Sequence, residues 1–218
     1  MKVNEVFASI QGEGPDAGIP AVFLRLQGCN VRCRWCDTSY ALNHRDDIDT
    51  PLQAVIDKIR LLTRDNDIRF AVITGGEPLL QVDNVYKLIV HLHSDFRFAI
   101  ETNGTQPVPS WHGMVMWDVD RKCPSSSVSE FNPQWYYLGK NHCRIKFVVE
   151  DENDLAFVIQ ELKQFSVRPT VLVSPVVNAG LVESESSWLQ RVWSFCVENN
   201  LRYSLQVHKV VFGNKRGV

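Results

Sequence analysis

Short runs of β-branched and aromatic residues recur along the chain and predict the strands of a sheet. Within each run the apolar residues are nearly continuous, which is typical of strands covered on both faces. Residues 3–8 predict a further strand near the start of the chain. The main predicted strands are 22–27, 69–74, 97–102, 114–119, 144–149, 170–175 and 202–207.

Helical periodicity separates many of these runs. The apolar spacing in 50–62 is that of a helix with Thr50 as its N-cap and Pro51 at the first helical position. The segment 151–165 begins with the acidic stretch "DEND", and the N-terminus of a helix favours negative charge. Segments with similar spacing are 82–93, 151–165 and 184–199.

The alternation of strands and helices predicts an α/β fold, with a parallel sheet covered by helices in a single domain over residues 1–218. No internal repeat or low-complexity linker divides the sequence. The irregular stretches are 104–113 and 122–133. In folds of this kind the loops after the carboxyl ends of the strands carry the chemistry.

Composition and charge exclude several classes of protein. The chain has 218 residues, is 44% hydrophobic and 22% charged, and carries a net charge of −2, so it has no basic excess for a nucleic acid partner. The start "MKVNEVFASIQGEG" lacks the apolar region of a signal peptide, and no apolar stretch is long enough to span a membrane. We therefore expect a cytoplasmic protein, in which clustered cysteines favour metal binding or catalysis over disulfides.

Three of the six cysteines lie close together in the loop after the strand 22–27. Cys29, Cys33 and Cys36 form a C-x3-C-x2-C motif, and three thiolates suit a [4Fe–4S] cluster that keeps one iron open for another ligand. The alternative is a zinc site completed by His44 or another residue. Zinc sites usually bring their ligands in two pairs, which favours the cluster.

The motif resembles the signature of radical S-adenosylmethionine (SAM) enzymes. The resemblance implies that the open iron chelates the amino and carboxylate groups of SAM, and that an electron from the cluster generates a 5′-deoxyadenosyl radical. It places Trp35, Cys36 and Asp37 at the SAM site, with Trp35 bordering the adenine. Trp35 by itself is equally consistent with a packing aromatic residue.

Three further segments fit a SAM site. "TGGEP" (74–78) resembles the motif whose backbone carbonyls receive the SAM ammonium, which implies a contact from Gly76, and its two glycines permit close backbone approach to a ligand. Glu101 in "ETNG" is expected to orient SAM, although a buried carboxylate with local partners is an alternative. Lys122 in "DVDRKC" is expected to line the SAM site, and a solvated lysine is the alternative.

Both ends of the chain resemble the 7-carboxy-7-deazaguanine synthase family of radical SAM enzymes. The matches are "SIQGEGPDAGIPAVFLRLQGCN" at the start, "VITGGEP", and "GNKRGV" at the end, and the resemblance spans residues 5–218. It implies a partial, open β/α barrel of the radical SAM type and a homodimer. It also implies an N-terminal substrate-binding segment and a C-terminal tail over the active site.

The resemblance implies conversion of 6-carboxy-5,6,7,8-tetrahydropterin to 7-carboxy-7-deazaguanine with loss of ammonia, in queuosine and related 7-deazapurine synthesis. The implied reaction begins with hydrogen abstraction from C6 of the pterin, contracts the ring by a radical rearrangement, and regenerates SAM. Magnesium is expected to hold the substrate. The expected reductant is a cytosolic flavodoxin-type protein.

The resemblance assigns the pterin edge to Ile10, Gln11 and Gly12, and it assigns the Thr74 hydroxyl to the substrate. An amide beside a glycine-rich turn suits a planar heterocycle with several donors and acceptors. The alternative for 10–12 is an ordinary turn after the first strand.

Arg25 is unusual because it alternates with apolar neighbours in "VFLRL", an unfavourable place for an unpaired charge. The substrate carboxylate is its expected partner, since arginine grips carboxylates with two hydrogen bonds. The alternative is a structural ion pair with Glu13 or Glu77. Thr38 is assigned to magnesium, unless its side chain only caps a turn.

The C-terminal tail is expected to fold over the pterin, with Val218 contacting the substrate. His208 and Lys209 fit a structural role as well as a catalytic one. Cys143 and Cys196 are expected to be buried, while Cys123 in a loop near the SAM site would hold a second cluster only together with other grouped thiols.

Two other functions remain open at this point. Radical SAM activases that act on a glycine of a partner protein share the cysteine spacing. A zinc-binding interaction protein without catalytic activity is the second alternative.

Overall fold

The computed structural model describes residues 1–43, 49–177 and 183–218. Its strands form one eight-stranded sheet in chain order from β1 to β8, in which β1 runs antiparallel to β2 and every later neighbour is parallel. This is an open, mostly parallel α/β sheet, as predicted. The strands are β1 Val3–Ile10, β2 Pro20–Leu26, β3 Phe70–Gly75, β4 Arg97–Thr102, β5 Met116–Lys122, β6 Cys143–Val149, β7 Thr170–Pro175 and β8 Arg202–Tyr203.

Five α-helices are found in the described part of the chain, and four of them lie where the periodicity predicts helices. The predicted N-cap of the first helix is wrong by one residue. Pro51 is the N-cap, with φ −56° and ψ 139°, and the helix begins at Leu52. Thr50 lies outside the helix. The helices are α1 Leu52–Thr63, α2 Val82–Leu92, α3 Glu152–Gln164, α4 Glu183–Glu198 and α5 Val207–Phe212.

The predicted strand 202–207 is mostly wrong. Only Arg202–Tyr203 pairs with β7, and α5 begins at Val207. Ser204 still donates its N–H to the carbonyl of Val173, but the N–H of Val207 turns to the carbonyl of Gly12. The chain therefore leaves the edge of the sheet and crosses towards the segment after β1, because these contacts with distant residues outweigh the local strand pattern.

The two faces of the sheet differ in chemistry. The outer face carries the main apolar core, where residues such as Leu24, Ile100 and Phe147 pack with the helices. The inner face holds a small apolar cluster around Phe23 and Val72, and towards the carboxyl ends of the strands it becomes polar and charged. Successive side chains of a strand point to opposite faces. The expectation of continuously apolar strands therefore holds around this inner cluster and fails near the carboxyl ends, where the inward-facing side chains are polar or charged.

No helix in residues 1–43, 49–177 and 183–218 is long and apolar enough to cross a membrane.

Candidate active site

The carboxyl ends of the parallel strands meet at one edge of the sheet, and a cavity opens there. The loops after β2, β3 and β4 line it, together with the inner face of β5 and β6, the turn after β1 and the C-terminal tail. Every residue that the sequence assigned to a cluster, a cofactor, a substrate or a metal lines this one cavity. These residues are Ile10, Gln11, Gly12, Arg25, Cys29, Cys33, Trp35, Cys36, Asp37, Thr38, Thr74, Gly76, Glu101, Lys122 and Val218.

The three clustered thiols are free, with Cys29 buried and Cys33 and Cys36 half-buried. Burial raises the pKa of Cys33 and of Cys36, and repulsion from the neighbouring thiolates adds to the effect, while Lys122 opposes it. Three thiolates side by side here need a cationic partner, and iron supplies one. The donor set therefore fits a [4Fe–4S] cluster.

The zinc alternative depended on a fourth ligand, and His44 lies outside the described residues. Within the described ranges, no group of three or more His, Cys, Asp and Glu side chains is arranged to hold a single metal ion. Cys123, Cys143 and Cys196 are all buried and pack in the main core on the outer face.

Only 11% of the Lys122 side chain is exposed and its ammonium is ion-paired, so the solvated alternative is wrong. Its Nζ lies 2.8 Å from Asp120 Oδ2 and 5.4 Å from the centre of the Trp35 ring. Burial disfavours the charge of Lys122, but Asp120 and the thiolate of Cys33 hold its pKa above the ordinary value. Trp35 is oriented by its Nε1, which donates to Ser125 Oγ at 3.0 Å. A fixed cation thus lies over the aromatic ring of the cysteine loop.

The two glycines of "TGGEP" are required by the protein backbone itself. Gly75 has φ 135°, and a Cβ there would lie 2.3 Å from the backbone of Leu26. A Cβ on Gly76 would lie 2.0 Å from the carbonyl oxygen of Gly28. The two glycines were expected to let the backbone approach a ligand closely, but here they let it approach the start of the cysteine loop. Glu77 N also donates to Gly28 O in that loop, at 2.8 Å.

Gln11, Thr74 and Glu101 form one hydrogen-bonded chain. Gln11 Nε2 donates to Glu101 Oε1 at 3.1 Å, and the Thr74 hydroxyl donates to Glu101 Oε2 at 2.7 Å. Glu101 is thus a half-buried carboxylate with local partners, and those partners are two residues assigned to the substrate. Gly12 contacts α5, since a Cβ there would lie 2.8 Å from His208 Nδ1.

Arg25 has an acidic partner that the sequence reading missed. Its Nε donates to Glu5 Oε1 at 2.8 Å and one Nη donates to the Thr38 hydroxyl at 3.2 Å. The suggested partners Glu13 and Glu77 are wrong, because Glu13 binds Lys146 on β6 and Glu77 is fully buried within the "TGGEP" segment, where it accepts from Leu79 N. Five N–H donors are available on a guanidinium, and these two bonds use two of them.

Thr38 is the N-cap residue of a single 3-10 turn, Ser39–Ala41, but its side chain makes no capping bond. Its hydroxyl donates to Asp37 Oδ1 at 2.9 Å instead. Burial works against the charge of Asp37, yet Lys209, with Nζ at 3.4 Å from Oδ2, and the Thr38 hydroxyl lower its pKa to about 2. An ionised carboxylate and a hydroxyl oxygen therefore lie together in the cavity, as hard cations require.

The C-terminal tail, residues 213–218, also lines the cavity. The Arg216 guanidinium lies 3.6 Å from the centre of the Tyr40 ring and donates to Asn4 Oδ1 at 3.0 Å. Lys209 is buried, with its Nζ near Asp37 and the carbonyl of Val177. These contacts hold the tail and α5 against the cysteine loop.

Sequence reasoning missed the charged pairs inside the sheet. Lys146 on β6 binds both Glu13 and Asp120. On the same strand Arg144 lies 2.6 Å from Asp16 Oδ2 and 3.3 Å from Asp118 Oδ1. The signal was present in the sequence, because Asp118, Asp120 and Lys122, like Arg144 and Lys146, occur at alternate positions within predicted or adjoining strand segments, as Arg25 does in β2.

Comparison with known proteins agrees with this geometry. The Radical SAM superfamily model matches residues 24–111, which hold the cysteine loop, "TGGEP" and "ETNG". The 7-carboxy-7-deazaguanine synthase of Leptospira interrogans is 31% identical over 99% of this chain and 97% of that protein. The synthase of Methanospirillum hungatei is 34% identical over 97% and 85% respectively.

A solved structure has a similar fold over nearly the whole chain. The crystal structure of QueE from Escherichia coli superposes with a TM-score of 0.71 and 25% identity, over 94% of this chain and 93% of that one. The fold and the site are therefore those of a radical SAM enzyme, a class that carries a [4Fe–4S] cluster and SAM. Within that class, the chain belongs to the 7-carboxy-7-deazaguanine synthase family.

Proposed function

We propose that this enzyme converts 6-carboxy-5,6,7,8-tetrahydropterin to 7-carboxy-7-deazaguanine with loss of ammonia, for queuosine or related 7-deazapurine synthesis. One observation carries the proposal. The residues assigned to a cluster, to SAM and to a carboxylated pterin come from both ends of the chain and line one cavity. The 7-carboxy-7-deazaguanine synthases to which the chain is similar support the same reaction.

Cys29, Cys33 and Cys36 hold the cluster in this proposal, and Trp35, Asp37, Gly76 and Lys122 hold SAM. When bound, the cluster and SAM together supply a carbon-centred radical that removes a hydrogen atom from the substrate. The chain's own part is to orient and shield that chemistry. Lys122 contributes a positive charge fixed by Asp120, which suits the carboxylate of SAM.

The chain of Gln11, Thr74 and Glu101 recognises the pterin edge. A carboxylate with two oxygens accepts from a pair of adjacent N–H donors, such as the amino group and ring N–H of a pterin. The contacts of Glu101 with Gln11 and Thr74 support a place for it at the substrate as well as beside SAM. Backbone groups of Ile10 and Gly12 complete this wall.

The substrate carboxylate binds Arg25, and magnesium binds Thr38. Arg25 is already held by Glu5 and Thr38, so its guanidinium is oriented before a ligand arrives. Magnesium keeps several waters and takes the remaining oxygens from Thr38 and the substrate. Val218, at the end of the tail, closes the cavity over the bound pterin.

The proposal includes a homodimer, a cytoplasmic location and a flavodoxin-type protein as the electron donor. The "IQGEG" start and the "GNKRGV" end favour the pterin over the glycine of a partner protein as the target of the radical.

The test is a reaction in the absence of oxygen. The protein is reconstituted with iron and sulfide and mixed with SAM, dithionite, magnesium and 6-carboxytetrahydropterin, with Cys33→Ala as the control. Mass spectrometry should find 7-carboxy-7-deazaguanine from the wild type alone, and less of it when magnesium is omitted. Cleavage of SAM to 5′-deoxyadenosine without that product would reject the substrate. A colourless protein that holds zinc would reject the enzyme class.

A further inference from the structure

We propose that Asn103 sets the reduction potential of the cluster by donating an N–H···S hydrogen bond to Cys29. Asn103 is a positioning residue: it acts on the cluster through a ligand, and the inference rests on the proposed role of Cys29. It follows β4 directly and is 6% exposed. Its Nδ2 lies 3.8 Å from Cys29 Sγ and 3.0 Å from Asn30 Oδ1.

The orientation of the Asn103 amide is determined by its other side. Oδ1 accepts the backbone N–H of Thr105 at 3.0 Å and the Thr105 hydroxyl at 2.8 Å. A backbone N–H can only donate, so the atom that faces it must be the amide oxygen. The NH2 group must then face Cys29 and Asn30, and its two hydrogens match these two acceptors.

The position of Asn103 is fixed by the same loop that holds the cysteines. Its backbone N–H donates to Glu77 Oε2 at 2.7 Å, and Glu77 is fully buried. Glu77 also binds Gly28 O through its own N–H at 2.8 Å, one residue before Cys29. The donor and the thiol are therefore held to one another through a rigid buried group, and the contact does not depend on a mobile surface side chain.

Hydrogen bonds to the sulfur ligands of an iron–sulfur cluster stabilise the reduced, more negative state and raise the reduction potential. Reduction must precede cleavage of SAM in this class of enzyme. A donor at Cys29 therefore makes the cluster easier to reduce by a biological electron donor. The "ETNG" segment thus supplies Glu101 to the cavity and Asn103 to the cluster.

The test compares midpoint potentials of cluster-loaded proteins, measured by redox titration with electron paramagnetic resonance detection. Asn103→Leu keeps the size of the side chain and removes the donor, while the backbone bond to Glu77 remains. At a fixed potential, the ratio of oxidised to reduced cluster should rise about threefold to tenfold, where tenfold equals about 59 mV for one electron. The matched control is Thr105→Val, which keeps the Thr105 backbone N–H and should titrate like the wild type.

Asn103→Ala provides a smaller replacement in case leucine does not fit, and the same shift is expected. An unchanged potential in a variant with a full cluster would overturn the inference. A folded variant that cannot hold iron would also overturn it, since Asn103 would then be needed for assembly. Failure of the wild type to load a cluster is a different result, because it would reject the proposed function and this inference together.

Discussion

Gly76 and Gly28 meet backbone to backbone, and a Cβ on Gly76 would lie 2.0 Å from the carbonyl oxygen of Gly28. This contact joins the loop after β3 to the start of the cysteine loop, where Glu77 N also binds Gly28 O. The loop expected to bind SAM and the loop expected to bind the cluster are therefore one structural unit. A change on either side should move the other.

Gly76→Ala should displace the cysteine loop. Overpacking against a rigid backbone destabilises proteins by about 1–3 kcal/mol, and the thiols of Cys29, Cys33 and Cys36 should move with the loop. We expect a lower melting temperature and iron content reduced severalfold after reconstitution. The matched control is Gly113→Ala, where an added Cβ meets nothing within 4 Å. Wild-type iron content in Gly76→Ala would contradict the structural role of this contact.

Lys122→Met should weaken SAM binding. The substitution keeps most of the apolar stem and removes a largely buried cation, leaving Asp120 with Lys146 as its basic partner. Removing one partner of a desolvated charge pair across a binding interface costs about 2–5 kcal/mol, so losing the contact of Lys122 with the SAM carboxylate should raise the dissociation constant of SAM at least about tenfold. Equilibrium binding to the cluster-loaded protein measures it. Lys140→Met, at an exposed position, serves as the control, and equal SAM affinity in the two variants would count against the assignment.

Arg25→Lys should uncouple cleavage of SAM from conversion of the pterin. Lysine keeps the charge but loses the planar fork that can bind Glu5, Thr38 and a carboxylate at once. We expect kcat/KM for the pterin to fall about tenfold or more, while cleavage of SAM continues without product. Arg191→Lys is the matched control, because its ion pair with Glu152 is exposed and neither residue lines the cavity. If product formation remained at the wild-type level, the substrate carboxylate would have to bind elsewhere.

Asp118 should make stability depend on pH. Burial raises the pKa of Asp118 from 3.8 to about 7, although Arg144 opposes the shift. The Asp118 carboxyl ionises near pH 4 in the unfolded chain and near pH 7 in the folded chain. Its contribution to the free energy of unfolding is therefore fully present below about pH 4 and is lost as the pH rises to 7. Asp118→Asn cannot ionise and should gain stability relative to the wild type over that interval.

Melting temperatures of the two cluster-loaded proteins at pH 5, 6, 7 and 8 provide the measurement. The difference between Asp118→Asn and wild type should shift in favour of the variant up to about pH 7 and then level off. Asp65→Asn removes an exposed carboxylate and should show no such trend. A difference that does not change with pH would show that Asp118 keeps the same protonation state across this range.

The order of elements could be predicted from local patterns, because strands and helices of one α/β domain each leave their own periodicity. Eight predicted strands and four predicted helices correspond to elements of the structure, although the strand at 202–207 shrinks to Arg202–Tyr203. α5 was missed because the apolar residues around Val207 fit a strand as well as a helix over so short a length. The N–H of Val207 donates to the carbonyl of Gly12, which lies almost two hundred positions earlier in the chain.

The chemistry of the cysteine loop was readable from the sequence because its three thiols are close in the chain and need no distant partner to define their spacing. The rest of the cavity was decided by tertiary structure. Arg25 pairs with Glu5, Lys146 with Glu13 and Asp120, and Asn103 with Cys29, and each of these pairs joins separate elements. The local sequence shows that a charged residue lies within a strand. Its partner is determined by which strands and loops the tertiary structure places beside it.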